Sequence, residues 1–190
     1  KTAYEIMPSL VGSEMCIRDR DLGIEKAEFK IELITKEPKV ENLSPTGFED
    51  IKFLFSSNPG VPLKPLEKVA SGGELSRIFL ACKSILKEKT ETGTLVFDEV
   101  DAGIGGITAK KIAQKLKDLS KNYQILCITH LPQIAILADI HYVVEKEIKG
   151  EETKTSIKKI EGEDKIKEIA RMLGDPKNLK LAKNFLDTQI

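Results

Sequence analysis

An α/β fold is predicted for this chain, and three neighbouring stretches predict it. Thr94–Phe97 (Thr-Leu-Val-Phe) is a short, β-prone apolar run after the turn residue Gly93 and reads as a buried parallel strand. A helical pattern follows from about residue 107 to 119, with Ile112, Ala113, Leu116 and Leu119 marking its buried stripe. Residues 124–128 (Gln-Ile-Leu-Cys-Ile) form a second buried run. Strand, helix, strand in that order is a right-handed βαβ unit, with its two strands parallel and adjacent.

Composition bounds the function. With 190 residues, 41% of them hydrophobic, the chain can build one sizeable core or a core with a small appendage. Its 30 basic side chains balance 30 acidic ones, so no net field draws the whole molecule to nucleic acid or an anionic membrane, and any DNA contact must be local. The three cysteines, Cys16, Cys82 and Cys127, are odd in number and include no Cys-x-x-Cys pair. Neither a disulfide framework nor a zinc site is indicated, and a reducing cytoplasm fits. Cys82 and Cys127 sit in apolar runs and read as small core residues. No apolar run reaches membrane-spanning length.

Residues 1–20 show no sustained apolar period and end in a charged run, Arg18-Asp19-Arg20-Asp21. They read as a foreign leader or a frayed terminus; Glu5 and Glu14 argue against a signal peptide. Phe29-Lys30-Ile31-Glu32-Leu33 and Ile51-Lys52-Phe53-Leu54-Phe55 are strands expected to pair antiparallel across a loop containing Pro38, Pro45 and Gly47. Asn58-Pro59-Gly60 breaks the chain, and Pro62 and Pro65 keep 61–66 extended. Residues 101–106 form a flexible glycine-rich loop. Lys110, Lys111, Lys115, Lys117 and Lys121 on the following helix read as a solvated face. Beyond residue 140 a charged edge hairpin turns at Lys149-Gly150, and two amphipathic helices close the chain. One carries Ile166, Ile169, Ala170 and Leu173, the other Leu179, Ala182, Phe185 and Leu186.

Three groups of residues carry chemistry. Asp98 and Glu99 leave the C-terminal end of the first parallel strand, the edge at which α/β sheets bind ligands. Asp98 is a hard oxygen ligand suited to Mg²⁺, and Glu99, facing another way, could orient or deprotonate a water aimed at a terminal phosphoryl group. A strand ending in a solvated acidic turn is the plain alternative. His130 follows the second strand and is expected at the same edge, there to contact a γ-phosphate and the attacking water; His141, with no such neighbours, reads as structural. Ser71-Gly72-Gly73-Glu74 opens a helix with a capping-box pattern. An ordinary capped loop would account for Ser71 and Glu74, whereas the two glycines make sense if helix-terminal amides must approach a phosphate closely.

Taken together these motifs resemble the second half of an ABC-type ATPase head: Ser71 to Glu74 as signature loop, Leu95 to Glu99 as Walker B strand, His130 as switch histidine. The stretches at 69–77, 97–104, 128–133 and 168–173 are similar to the RecN family of bacterial DNA-repair proteins, SMC-like ABC ATPases, over about residues 21–190. That resemblance implies ATP and Mg²⁺ as cofactors and a role in recombinational repair of double-strand breaks. It also implies a cytoplasmic, nucleoid-associated setting. Glu99 and His130 would be catalytic, Asp98 would hold the metal, and Ser71, Gly72, Gly73 and Glu74 would bind nucleotide held by a second head. Two departures stand out. The aspartate many ABC proteins carry after Walker B falls at Gly105, and no Gly-x-x-x-x-Gly-Lys-Ser/Thr loop is present. The expectation is therefore a C-terminal head lobe, inactive alone, whose partners are a missing N-terminal P-loop lobe and a second head in a homodimer. DNA would be bound through the full-length protein, with no membrane involved. A stand-alone, non-hydrolysing domain that binds a partner or DNA is the alternative, and a transporter cassette a lesser one, since the signature continues Glu74-Leu75-Ser76-Arg77 rather than with glutamine and basic residues.

Overall fold

The structure, a computed structural model, describes residues 22–23, 27–37, 39–42, 47–56, 58–68, 71–85, 93–150 and 152–188. The leader expected over residues 1–20 lies outside them. The chain divides into two compact units, residues 1–104 with 119–128 and residues 105–118 with 129–190.

In the first unit the two period-two stretches form β1 (Glu28–Thr35) and β2 (Glu49–Ser56), paired antiparallel from Glu28↔Ser56 to Thr35↔Glu49. Phe29 stacks diagonally on Phe53 with ring centroids 5.9 Å apart, a cross-strand contact that fixes this register. The segment expected only to be extended pairs as well. β3 (Lys64–Pro65) joins β2 at Leu54 and Phe55, at the sheet edge where a proline without an N–H is tolerated. Helix α1 (Gly72–Ile85) buries Ile78, Leu80, Ala81 and Ile85, and its Phe79 ring lies 5.6 Å from that of Phe97.

Phe97 ends β4 (Thr94–Phe97), which pairs in parallel with β5 (Gln124–Cys127) in the register Thr94↔Gln124 to Phe97↔Cys127. The parallel, adjacent pair was expected; its full burial was not found. Leu95 and Phe97 are buried, but Val96, Leu126 and Ile128 remain 59%, 51% and 61% exposed. Strands apolar on both faces need cover on both, and the described residues cover one. Cys82 and Cys127 are correspondingly half-buried rather than core residues.

The second unit contains α2 (Gly106–Leu119), whose Ala109, Ile112, Ala113 and Leu116 are buried as its pattern requires. Lys117 of this helix pairs with Asp139 and holds its carboxyl below the usual carboxylate range. After the short α3 (Pro132–Ala135), β6 (His141–Lys149) and β7 (Glu152–Ile160) form the expected hairpin, turning at Gly150 with φ 66°. Helices α4 (Gly162–Met172) and α5 (Leu179–Asp187) close the unit around Ala135, Ile136, Ile169, Ala170 and Ala182. Gly174, at φ 84°, ends the α4 turn, and the Asn178 side chain accepts the Leu181 N–H at 3.0 Å to start α5. Among the described residues no helix is long and apolar enough to cross a membrane.

Two predictions follow from the second unit. Ile169→Ala empties a fully buried position and is expected to destabilise this unit by about 2–5 kcal/mol, read from the urea midpoint of its helical signal. His141 supplies a pH dependence. Burial first, then the charge of Lys165, holds its imidazole below the ordinary 6.5, with Glu168 partly opposing, and its buried Nδ1 has no hydrogen-bond partner among the described residues. The unfolded chain therefore binds this proton at a pH where the folded chain does not, so stability falls as pH drops through 6.5 towards the folded value. Lowering the pH from about 7.5 to about 5.5 should lower the urea midpoint, and His141→Phe should flatten that slope.

Candidate functional site

The residues singled out in the first unit lie on two short pieces of backbone, the start of α1 and the turn after β4. At the start of α1 the capping box forms as its pattern predicts. The Ser71 N–H donates to Glu74 Oε2 at 2.9 Å and the Glu74 N–H to Ser71 Oγ at 3.3 Å, while the Leu75 N–H closes the first turn on the Ser71 carbonyl at 2.9 Å. The Ser71 hydroxyl also donates to Glu74 Oε2 at 3.2 Å.

After β4 the chain turns sharply. Asp98 and Glu99 are exposed, whereas Val100 and Asp101 are buried, so the loop expected to be flexible is anchored at its near end. Glu99 is the only non-glycine residue at positive φ among the described residues, at 55°. Such a left-handed backbone costs an ordinary residue roughly 1–2 kcal/mol. Helix α1 holds the turn in this form. Ser76 Oγ donates to the Asp98 carbonyl at 2.6 Å, and Arg77 Nη1 donates to the carbonyls of Val100 at 3.3 Å and Ala102 at 2.9 Å. The Ala102 N–H donates in turn to the Glu99 carbonyl at 2.9 Å.

Arg77 is only 5% exposed. Burial pushes its guanidinium below the ordinary arginine value while the Glu74 and Asp101 carboxylates act in the opposite sense. Its Nε is buried without a partner among the described residues, a cost of about 1–3 kcal/mol. Burial, followed by the Asp101 and Asp98 charges, pushes the Cys127 thiol up to about 12, so this sulfur stays protonated at neutral pH.

The two glycines of α1 answer a demand the sequence did not reveal. A Cβ on Gly72 would lie 2.5 Å from Glu99 Oε2. One on Gly73 would lie 2.8 Å from Ala102 Cβ, 2.9 Å from the Glu99 carbonyl oxygen and 3.2 Å from Arg77 Nη1. Close approach of the helix to its own acidic turn thus requires glycine at 73 before any ligand is considered. The fold brings Gly72 and Gly73 against Glu99, with Ser71 and Glu74 bonded to each other at the same helix start. Asp98 is tied to the same helix through its carbonyl. His130 belongs to the second unit, where it is exposed beside a tight turn in which the Leu131 N–H donates to Thr129 Oγ1 at 3.0 Å.

Sequence reasoning quoted Ser76 and Arg77 only as the tail of a motif and missed their part in the site. A signal was available. Arg77 lies four residues after Gly73 and one before Ile78 on the apolar stripe of α1, and a cation on a buried stripe needs acceptors.

The glycine argument yields a paired test. Gly73→Ala must displace main chain and is expected to destabilise the first unit by about 1–3 kcal/mol. Gly93→Ala, whose Cβ would meet nothing within 4 Å among the described residues, should change stability by less than about 1 kcal/mol. Chemical denaturation of both variants beside the parent chain measures the contrast.

No protein-family model matches the chain. It is 47% identical over 154 residues to the DNA repair protein RecN of Treponema pallidum (strain Nichols), in an alignment covering 80% of this chain and 27% of that protein. It is 46% identical over 154 residues to RecN of Vibrio cholerae, covering 81% of this chain and 27% of that one. Against RecN of Bacillus subtilis (strain 168) the figures are 48% over 131 residues, 69% and 23%. The chain thus spans about a quarter of the length of the curated relatives it matches. Among solved structures it superposes on the crystal structure of an Smc head domain with a coiled coil and joint derived from Pyrococcus yayanosii. That match has a TM-score of 0.51 and 17% identity, and covers 87% of this chain and 29% of that one. By sequence this chain is similar to about a quarter of the length of RecN proteins, and its α/β fold is like that of an Smc head domain.

Proposed function

We propose that this chain supplies part of the ATP site of a RecN-type ATPase acting in recombinational repair of DNA double-strand breaks. The contact between the Ser-Gly-Gly-Glu helix start and the Asp98-Glu99 turn carries the reading, because one helix and one strand end hold together the two motifs an ABC head uses. Within it, Ser71, Gly72, Gly73 and Glu74 form a signature loop whose hydroxyl and amides meet the phosphates of ATP held by a second head. Asp98 would hold Mg²⁺. Among the described residues no cluster of three or more metal-ligating side chains exists, which fits an ion that takes one or two carboxylates and completes its shell with phosphate and water. When bound, the metal offsets charge on the phosphates. Glu99 orients the attacking water and accepts its proton, and His130 donates to the terminal phosphate.

The chain contains no phosphate-binding P-loop, and the exposed apolar face of Val96, Leu126 and Ile128 supports a lobe bearing one as its cover. The RecN relatives are long enough to include such a lobe and a second head's dimer contacts. Binding of DNA, in the cytoplasm at the nucleoid, is assigned to the whole protein.

Mg-ATP hydrolysis should be measured for this chain, for the chain mixed with a P-loop-bearing lobe, and for both with Glu99→Gln. The expected result is no turnover by the chain alone and turnover in the mixture, reduced about 100-fold or more by Glu99→Gln. Glu99-dependent turnover by the chain alone, or a silent mixture of folded partners, would overturn this function.

A further inference from the structure

The turn after β4 is gripped by its main chain, and the grip comes from one turn of helix. Ser76 Oγ takes the Asp98 carbonyl, and Arg77 Nη1 takes those of Val100 and Ala102. These three oxygens bracket Glu99, whose own carbonyl accepts the Ala102 N–H at 2.9 Å. Glu99 is the residue held at φ 55°, and its carboxylate lies against the Cα of Gly72, one helical turn before Ser76 and Arg77. We propose that Arg77, assisted by Ser76, is a positioning residue for Glu99: it fixes the left-handed backbone that sets where the Glu99 carboxylate stands. The proposal rests on the assignment of Glu99 as the hydrolytic base and adds the residue that aims it.

Three observations favour positioning over simple packing. Arg77 spends its hydrogen bonds on main-chain carbonyls of the turn, with Asp101 and Glu74 supplying nearby negative charge. Its Nε is left buried and, among the described residues, unpartnered, an arrangement that packing alone would not select over an apolar side chain. Gly73 clears space for the Arg77 guanidinium as well as for the turn, since a Cβ there would lie 3.2 Å from Nη1. The same helix that presents the signature loop therefore holds the general-base candidate one turn further on. A shift of the loop is transmitted to Glu99 through a rigid element rather than through a flexible linker.

The test compares Arg77→Met, Arg77→Lys and Ser76→Ala in the full 190-residue chain. The first readout needs no catalysis. Exchange of the Ala102 amide hydrogen should speed up by about tenfold or more in Arg77→Met, while the Ile128 amide, bonded to the Phe97 carbonyl at 2.9 Å, keeps its protection. The second readout is ATP hydrolysis with the P-loop-bearing lobe. Arg77→Met should lower kcat about 10–100-fold with KM for ATP changed less than about threefold, and Arg77→Lys should recover part of the loss. Ser76→Ala should lower kcat by a smaller factor, and it guards against misfolding of the arginine variants. Unchanged Ala102 exchange overturns the clamp. Faster exchange with undiminished kcat, or a loss confined to KM, overturns the positioning role. If the unmodified assembly hydrolyses nothing, the ATPase reading and the catalytic role of Arg77 both fall, while the exchange readout still decides the clamp.

Discussion

Three carbonyl oxygens of one tight turn, captured by two consecutive side chains of one helix, are the constraint on which the first unit is organised. A left-handed glutamate is disfavoured by roughly 1–2 kcal/mol. A hydrogen bond from a charged donor such as Arg77 contributes about 1.5–3 kcal/mol, so the two it makes, with that from Ser76, are enough to hold the turn against its own preference. The glycine pair belongs to the same arrangement. Without a Cβ at 73, α1 approaches until the Arg77 head reaches across to Ala102; with one, helix and turn would have to separate.

The parallel pair β4 and β5 sets the second condition. Alternation along a strand sends Leu95 and Phe97 to one face and Val96 to the other, and both sets are apolar. One set is buried and the other is open to solvent among the described residues. Such strands read from sequence as fully buried because their composition is chosen for two covered faces, whether or not one chain supplies both covers.

Much of the fold was legible because its signals are local. Period-two alternation placed β1 and β2, the capping box placed the start of α1, and the stripes of Ile166, Ile169 and Ala170 and of Ala182, Phe185 and Leu186 placed the closing helices. The brief β3 was missed because two residues, one a proline, carry no period to detect. Of the candidate site, Asp98, Glu99 and the Ser71–Glu74 loop are proposed from residue type and order, and the structure adds that Gly72 and Gly73 lie against Glu99. The clamp was not legible, because main-chain carbonyls have no signature in sequence; only the anomaly of an arginine on an apolar stripe pointed to them. For the same reason the glycines were assigned to a ligand alone, when an internal turn already accounts for one of them.

The β6–β7 hairpin has a consequence of a different kind. Its strands are nine residues each, yet Tyr142, Val144, Ile148 and Ile157 are all more than half exposed, and among the described residues burial is found only at the root, at Ile160. A two-stranded ribbon without a covering layer is marginal by itself. Burial therefore falls along the ribbon from Ile160 at the root to the turn at Gly150, so local opening at the tip costs less free energy than opening at the root.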